Sequence, residues 1–275
     1  MPQTSDRMSQ RPAVALTIAG SDSGGGAGIQ ADLKTFHAFG VFGTSAVTAI
    51  TAQNTVTVSA VHAVPLDVVR AQIDAVVDDL DPAAAKTGML ATAELVVGVA
   101  RAITHHRIDR FVLDPVMVAT SGDSLLNKDA EEALVRELLP RAQLITPNLH
   151  EARILTGREI ATPADMSWAA RELVSMGARA ALVKGGHLSA EEIVDVLWDG
   201  RAESTWSRPR IPAVNTHGTG CTLSAGVTAN LALGMSLKDA VEGAVDFVAR
   251  AIATAPDLGQ GHGPINHLVR SERIT

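Results

Sequence analysis

Residues 84–115 read AAKTGMLATAELVVGVARAITHHRIDRFVLDP and hold a strand, a helix and a second strand in succession. The short runs Ala84–Thr87 and Arg110–Leu113 predict the strands, and the apolar spacing over Thr92–His105 predicts the helix between them. Strands that alternate with helices in this way build a parallel sheet. The second strand ends in Asp114-Pro115, which places a carboxylate at the carboxyl end of a strand.

The same alternation continues on both sides and predicts one α/β unit. Before this segment, strands are predicted at Ala13–Ala19, Gly43–Ile50 and Thr55–Ala63, and helices at about Ala27–Phe39 and Pro65–Asp79. After it, the pattern predicts helices at about Lys128–Leu138, Glu151–Leu155, Pro163–Met176, Thr219–Leu233 and Leu237–Ala255, strands at Gln143–Thr146 and Ala180–Val183, and a hairpin of Ile193–Trp198 with Glu203–Trp206. We expect a mostly parallel central sheet with helices on both faces. It would form a single domain of residues 13–275 behind a mobile tail of residues 1–12.

The composition supports a large core and excludes several classes of protein. Of the 275 residues, 46% are hydrophobic, 19% are charged and 3% are aromatic, so the core must consist mainly of Ala, Val, Leu and Ile. The formal net charge is -7 without a basic stripe, so nucleic acid is not an expected partner. There is no apolar run of about twenty residues and no apolar signal sequence near the start, so we expect no membrane association and a cytoplasmic location.

The segment Asn215–Thr222, NTHGTGCT, places two glycines directly before a predicted Ala-rich helix. Glycines let backbone N–H groups approach an anion closely, and a helix start adds positive potential. We interpret Gly218, Thr219, Gly220 and Cys221 as a candidate cradle for a phosphoryl group during its transfer. The alternative is a glycine-rich helix start with a structural cysteine. Cys221 is the only cysteine, so it has no intramolecular disulfide partner.

A second glycine-rich loop, Gly20–Asp32, reads GSDSGGGAGIQAD between a predicted strand and a predicted helix. It is not a Walker A loop, because Gly26 and Ala27 stand where Lys and Ser or Thr are required. It also lacks the dinucleotide-binding pattern, because Ile29 stands where Gly or Ala is needed. A tight turn for close packing therefore remains open beside a role in binding.

Polar residues recur where predicted strands end, and ligands of open parallel sheets bind at that edge. They include Asp22, Asp114, Asn148 and Lys184. Asp114 and the nearby Glu151 are candidate Mg²⁺ ligands, since Mg²⁺ takes one or two carboxylates together with water and phosphate oxygens. Lys184 could neutralise phosphate charge. For Asp114 and Asn148, capping of a helix is the alternative.

Together these segments resemble the hydroxymethylpyrimidine kinase / phosphomethylpyrimidine kinase family of thiamine biosynthesis, within the ribokinase-like superfamily. The resemblance keeps the order of the family's motifs over about Val14–Leu233. It rests on Ala19–Asp22, Gly25–Thr35, Ala52–Thr55, Lys86–Leu90, Asp114–Met117, Ser121-Gly122, Thr146–Glu151, Lys184–His187 and the loop that ends at Cys221.

The resemblance implies a ribokinase-like fold and a role for each matched residue. Five residues would line a pyrimidine pocket: Gly20, Asp32, Gln53, Met89 and Val116. Asp114 and Glu151 would serve Mg²⁺. Three residues would face the phosphates of ATP: Asn148, Lys184 and Thr216. The family kinases are often dimers, which makes a homodimer the expected assembly.

The implied activity is ATP-dependent phosphorylation of 4-amino-5-hydroxymethyl-2-methylpyrimidine, followed by phosphorylation of the monophosphate to the pyrophosphate. Sugar kinases of the superfamily usually carry an Asp base where this chain has Cys221, whereas the pyrimidine kinases carry Cys. A thiolate could accept the hydroxyl proton. Phosphoryl transfer depends mostly on positioning and charge stabilisation, so the surrounding amides could matter more.

Other functions stay open at this point. A pyridoxal or pyridoxine kinase of the same fold, or a dual activity, is the close alternative, although Gln53 and Met89 favour the pyrimidine. A non-catalytic nucleotide-binding protein is disfavoured by Asp114, Lys184 and Cys221. A hydride-transfer enzyme is disfavoured by the missing dinucleotide pattern. The small polar stretch Ser121–Ser124 is a candidate lid.

Overall fold

The computed structural model describes residues 11–117, 128–186 and 191–271. Nearly all of the predicted tail, residues 1–12, and the whole candidate lid, Ser121–Ser124, lie outside the described residues. No helix within those described ranges is both long and apolar enough to cross a membrane.

The central sheet has eight strands among the described residues, in the spatial order β10-β9-β8-β7-β6-β5-β1-β2. The first six in chain order run parallel, and β9 is antiparallel to both β8 and β10. A separate antiparallel hairpin pairs β3 with β4. The strands are β1 Val14–Ala19, β2 Phe42–Val47, β3 Ala49–Gln53, β4 Val58–Ala63, β5 Ala84–Thr87, β6 Phe111–Leu113, β7 Leu144–Ile145, β8 Ala181–Val183, β9 Glu192–Trp198 and β10 Glu203–Pro209.

Helices cover both faces of this sheet, as the sequence predicted. They are α1 Gly28–Ala38, α2 Leu66–Leu80, α3 Ala93–His105, α4 Lys128–Ala133, α5 Leu149–Thr156, α6 Pro163–Ser175, α7 Thr219–Ala232 and α8 Leu237–Ala253. Alternate residues of β1 point to opposite layers: Leu16 and Ile18 pack with α2, α3 and α6, whereas Ala15 packs with α1, α7 and α8. The predicted α/β class with a mostly parallel sheet is confirmed.

Two predicted elements are wrong in detail. The strand predicted at Gly43–Ile50 is two strands of different sheets. β1 ends at Ala19, the register partner of Val47, so the residues after Val47 have no strand of the central sheet to pair with. Thr48 bonds to the ends of β1 and β5, through its N–H to Ala19 O and its Oγ1 to Met89 O, and the chain turns away into the β3–β4 hairpin. The helix predicted at Lys128–Leu138 changes after α4 into a π-helical turn.

A fully buried ion pair joins the sheet to α1. Lys86 on β5 is the register partner of Thr17 on β1, and both side chains bond to the Asp32 carboxylate. Lys86 Nζ lies 2.8 Å from Asp32 Oδ1, and both side chains have 0% exposure. Burial alone would lower the pKa of the Lys86 ammonium, but the Asp32 carboxylate holds that pKa above its usual value. Burial raises the pKa of Asp32, and Lys86 and Thr17 oppose that rise, so each charge of the pair compensates the other.

We expect Lys86→Met to lower the free energy of unfolding by about 3–5 kcal/mol, because it leaves the Asp32 carboxylate buried without its cation. Lys86→Met combined with Asp32→Asn should cost less than the sum of the two single changes, since a neutral pair replaces an ion pair. Urea unfolding of the four proteins measures both effects. Lys238→Met, at an exposed lysine of α8, is the control. A cost below about 1 kcal/mol for Lys86→Met would contradict the compensation described here.

Candidate active site

One cleft of about 760 Å³ lies at the carboxyl ends of the parallel strands. The two glycine-rich loops and the residues that follow β1, β5, β6, β7 and β8 all reach it, because parallel strands end at the same edge. Every residue singled out from the sequence as a site candidate lines this cleft: Gly20, Asp32, Gln53, Met89, Asp114, Val116, Asn148, Glu151, Lys184, Thr216, Gly218, Thr219, Gly220 and Cys221. The structure thus brings them together, and their individual roles remain predictions.

One end of the cleft is largely apolar. A Cβ atom at Gly20 would lie 2.5 Å from Cε of Met89, so the methionine packs directly onto the backbone there. Val116, which follows β6, and Val61 of the β3–β4 hairpin also line the cleft. Gln53 contributes an amide whose Oε1 lies 3.3 Å from Thr51 Oγ1. This end could hold a flat ring between apolar walls and one amide.

The floor of the cleft is a chain of buried charges. The Asp32 carboxylate is already bonded to Thr17 and Lys86, and Lys86 Nζ also lies 4.0 Å from Asp114 Oδ2. Asp114 in turn lies 3.3 Å from Lys184 Nζ and accepts a hydrogen bond from Ser224 Oγ at 3.0 Å. Burial would raise the pKa of Asp114, but the two lysines bring that pKa below its usual value. The floor therefore alternates negative and positive groups.

Sequence reasoning gave Lys86 and Ser224 no role in this network. A lysine inside a short buried strand was the available signal for Lys86, since a lysine is rarely fully buried without a partner. Ser224 offered no signal, because a serine within an Ala-rich helix looks like any small packing residue.

Asn148 and Glu151 form a capping box at the start of α5. Asn148 Oδ1 accepts from Glu151 N–H at 2.9 Å, and Glu151 Oε2 accepts from Asn148 N–H at 2.8 Å. The capping alternative is thus present in the structure, and both residues still line the cleft. Burial raises the pKa of Glu151 to about 7, Lys184 lowers it, and the like charge of Asp114 adds to the rise.

The donor set fits Mg²⁺. Asp114 and Glu151 are two buried carboxylates that repel each other beside one cleft, and such a pair is stabilised by a divalent cation. No group of three or more His, Cys, Asp or Glu side chains suited to a metal occurs among the described residues. Mg²⁺ commonly takes one or two protein carboxylates together with water and phosphate oxygens.

The cradle predicted at Gly218–Cys221 is the start of α7. Gly218 precedes the helix with φ +83°, and a Cβ atom there would overlap Gly26 O, so only glycine fits. The first-turn N–H groups have no acceptor within the helix and can serve an anion. Thr219 N–H is an exception, because it already donates to Thr216 O at 3.2 Å. A Cβ atom at Gly220 would lie 3.3 Å from Lys184 Nζ, which places the lysine at the cradle.

Cys221 lies where the charged floor meets the cradle. Burial raises the pKa of its thiol to about 11, the Lys86 ammonium lowers it, and the carboxylates of Asp32 and Asp114 raise it further. The backbone amide of Gly28, in the other glycine-rich loop, lowers the pKa of the thiol. Without a ligand, the thiol is therefore protonated at neutral pH.

The far end of the cleft was missed by sequence reasoning. It is lined by the segment Arg210–Ala213 after β10 and by Val248, Ala249 and Ile252 of α8. These residues, which are small or aliphatic apart from Arg210, form no sequence motif. Their proximity depends on how α8 packs beside α7.

Comparison with known proteins agrees with the motifs. The family model described as phosphomethylpyrimidine kinase matches residues 22–266. The hydroxymethylpyrimidine/phosphomethylpyrimidine kinase of Rhizobium meliloti is 52% identical over 94% of this chain and 98% of that protein. The thiamine biosynthesis bifunctional protein ThiED of Geobacter sulfurreducens is 48% identical over 94% of this chain and 53% of its own length.

A solved structure extends the agreement to the fold. Bacillus subtilis pyridoxal kinase, in complex with ADP, superposes with a TM-score of 0.87 at 40% identity, over 94% of this chain and 98% of that one. The resemblance inferred from the motifs is thereby confirmed at the level of the family. The chain belongs to the phosphomethylpyrimidine kinase family.

Proposed function

We propose that the protein transfers the γ-phosphate of ATP to 4-amino-5-hydroxymethyl-2-methylpyrimidine and then phosphorylates the resulting monophosphate to the pyrophosphate. One observation carries the proposal. The apolar pocket, the charged floor and the glycine cradle form a single cleft, and Cys221 lies where the floor meets the cradle. A hydroxymethyl group and a phosphoryl group could therefore meet beside its sulfur.

The apolar end suits the pyrimidine ring. Met89 and Val116 would cover its faces, and the amide of Gln53 would pair with the ring nitrogen and amino group. Asp32 can contribute only lone pairs left over from its bonds to Thr17 and Lys86. Its share in ring recognition is therefore smaller than its motif position suggests, and Gln53 carries more of the polar specificity.

ATP would occupy the rest of the cleft. Its phosphates would lie against Lys184, Asn148, Thr216 and the start of α7, and its base would lie between Ile211-Pro212 and the aliphatic residues of α8. Asp114 and Glu151 would hold Mg²⁺. The ion supplies a positive charge that offsets the phosphates in a protein whose net charge is -7.

The transfer step follows from these positions. The pyrimidine hydroxyl attacks the γ-phosphorus in line, the bond to the β-phosphate oxygen breaks, and ADP leaves. Lys184 and the first-turn amides of α7 stabilise the charge on the transferring group. The hydroxyl proton passes to Cys221 or to a phosphate oxygen. A thiol with a pKa of about 11 is mostly protonated at neutral pH, which gives positioning and charge stabilisation the larger share.

A pyridoxal kinase activity is the second candidate, because Bacillus subtilis pyridoxal kinase shares this fold at 40% identity. Both substrates are flat heteroaromatic alcohols of similar size. The apolar walls alone would accept either ring, so the amide of Gln53 is the group that would discriminate between them.

Mass spectrometry of the product made from the hydroxymethylpyrimidine, excess ATP and Mg²⁺ tests the function. We expect two added phosphate groups, and no product when EDTA removes the metal. Pyridoxal, assayed in parallel, should gain one phosphate with a lower kcat/KM. A single phosphate on the pyrimidine would contradict the two-step activity, and a higher kcat/KM for pyridoxal would favour the second candidate.

The role of Cys221 can be separated from that of the amides. We expect Cys221→Ala to lower kcat by about 100-fold or more while KM for ATP changes little, as for loss of a general base. Wild-type kcat should rise from pH 7 to pH 9, because the thiolate fraction grows below a pKa of about 11, and the variant should lose that slope. Cys221→Ser, of similar size, is the matched variant. Wild-type turnover by Cys221→Ala would remove the residue from catalysis.

We also propose a cytoplasmic homodimer. The outer face of the β3–β4 hairpin exposes Ile50, Ala52, Ala60 and His62, and Ile50 has 55% exposure. Ile50→Glu should shift the sedimentation velocity of the protein towards that of a monomer. Leu268→Glu, at an exposed leucine of the C-terminal segment, should not. A monomeric wild-type protein would refute the assembly.

A further inference from the structure

Asp22 is a buried carboxylate to which the reaction described above gives no role. It has 2% exposure and lies in the first glycine-rich loop. Its Oδ1 accepts from Gly24 N–H at 2.8 Å, and its Oδ2 accepts from the N–H groups of Gly26 at 3.1 Å and Ala27 at 2.8 Å. His217 Nε2 lies 2.9 Å from the same Oδ2. One side chain thus organises the whole loop and bonds to a residue that adjoins the cradle.

The two glycine-rich loops are in direct backbone contact at this point, although Asp22 and His217 are 195 positions apart in the chain. A Cβ atom at Gly26 would lie 2.6 Å from Cδ2 of His217. The Cβ position of Gly218 is filled by Gly26 O, as described above. The contact leaves no space for side chains, so a small displacement of one loop must move the other.

The first loop continues from this contact to the reacting centre. Gly28 has φ +56°, and its backbone amide lowers the pKa of the Cys221 thiol. A Cβ atom at Gly28 would overlap Gly20 O, so only glycine fits at this position. The loop held by Asp22 therefore brings a backbone amide to Cys221.

His217 is held independently of Asp22. Its backbone N–H donates to Gly263 O at 3.1 Å, and its carbonyl accepts from Ile265 N–H at 3.3 Å. The C-terminal segment thereby fixes the histidine, which gives the Asp22 carboxylate a stationary partner. Burial would raise the pKa of Asp22, but the hydrogen bonds from His217 and from the loop amides bring that pKa below its usual value. The carboxylate is thus ionised and accepts hydrogen bonds.

We propose that Asp22, acting with His217, is a positioning residue for the phosphoryl transfer: it holds the two glycine-rich loops together so that the Gly28 amide and the cradle meet at Cys221. The inference rests on the proposed function of the same site. Asp22 lines the cleft, but its carboxylate oxygens are occupied by the loop amides and His217, so we assign it no contact with the pyrimidine or ATP. Its removal should therefore misalign the reacting groups while both binding ends remain intact.

Steady-state kinetics of Asp22→Asn test the proposal. The carboxamide has nearly the same shape as the carboxylate, but its NH2 group cannot accept a hydrogen bond. We expect kcat to fall about 10- to 100-fold, while KM for the pyrimidine and KM for ATP stay within about threefold. His217→Ala should give a similar fall, His217→Gln should recover part of it by restoring an N–H donor, and the double variant Asp22→Asn/His217→Ala should be no worse than either single variant.

The control is Asp199→Asn. Asp199 likewise accepts two backbone N–H groups, from Arg201 and Ala202, in the turn between β9 and β10 far from the cleft. It should keep wild-type kcat. A thermal melt checks that each variant folds. A lowered Tm with unchanged kcat in Asp22→Asn would show a purely structural residue and overturn the proposal, as would additive losses in the double variant.

Alkylation of Cys221 by iodoacetamide tests the same point without any substrate. Cys221 is the only cysteine, so the modification rate reports this site alone. Loosening the loop should admit water to the thiol and remove the burial that raises its pKa, so we expect at least fivefold faster alkylation in Asp22→Asn and no change in Asp199→Asn. Equal rates would overturn the proposal. A wild-type protein inactive on the pyrimidine would instead refute only the proposed function, since this readout needs no turnover.

Discussion

The buried Lys86 ammonium is the group on which the architecture of the site depends. It lies on the face of β5 that carries α1 and α7, and it bonds to Asp32 at 2.8 Å with no exposure to water. A charge in that position must be compensated, and Asp32 of α1 supplies the compensating carboxylate. The same ammonium lies 4.0 Å from Asp114 and lowers the pKa of the Cys221 thiol. One cation thus interacts with α1, with Asp114 at the sheet edge and with the Cys221 thiol.

Close backbone contact is the second constraint. The loops around Gly26 and Gly218 approach so nearly that a Cβ atom on either would overlap the other loop. Glycine is needed here because the backbone of the other loop leaves no room for a side chain, as well as because of local conformation. This contact brings a turn near one end of the sequence beside a cysteine near the other end. The two glycine-rich segments therefore form one site rather than two.

The electrostatics explain how an acidic protein can bind a polyanion. The net charge is -7, yet Lys86, Lys184 and the start of α7 line the cleft, and in the proposed arrangement Lys184 and the α7 amides face the phosphates of ATP. Local donors rather than overall charge decide the affinity for phosphate. The raised pKa of Cys221 fits the same view. In the proposed reaction the cleft acts mainly by positioning the reacting groups, because phosphoryl transfer leaves the protein little covalent chemistry to perform.

The sequence by itself determined the α/β class, the parallel order of most strands, the two glycine-rich loops and every candidate residue that was later found to line the cleft. These features are local, because periodicity, polar residues at strand ends and motifs each depend on residues that are close in sequence. The sequence did not predict the break at Thr48, the partners of Lys86, the Asp22–His217 bond or the far end of the cleft formed by α8. Each of these depends on which distant segments pack together. Only the tertiary structure decides that, because burial and pairing are properties of the folded chain.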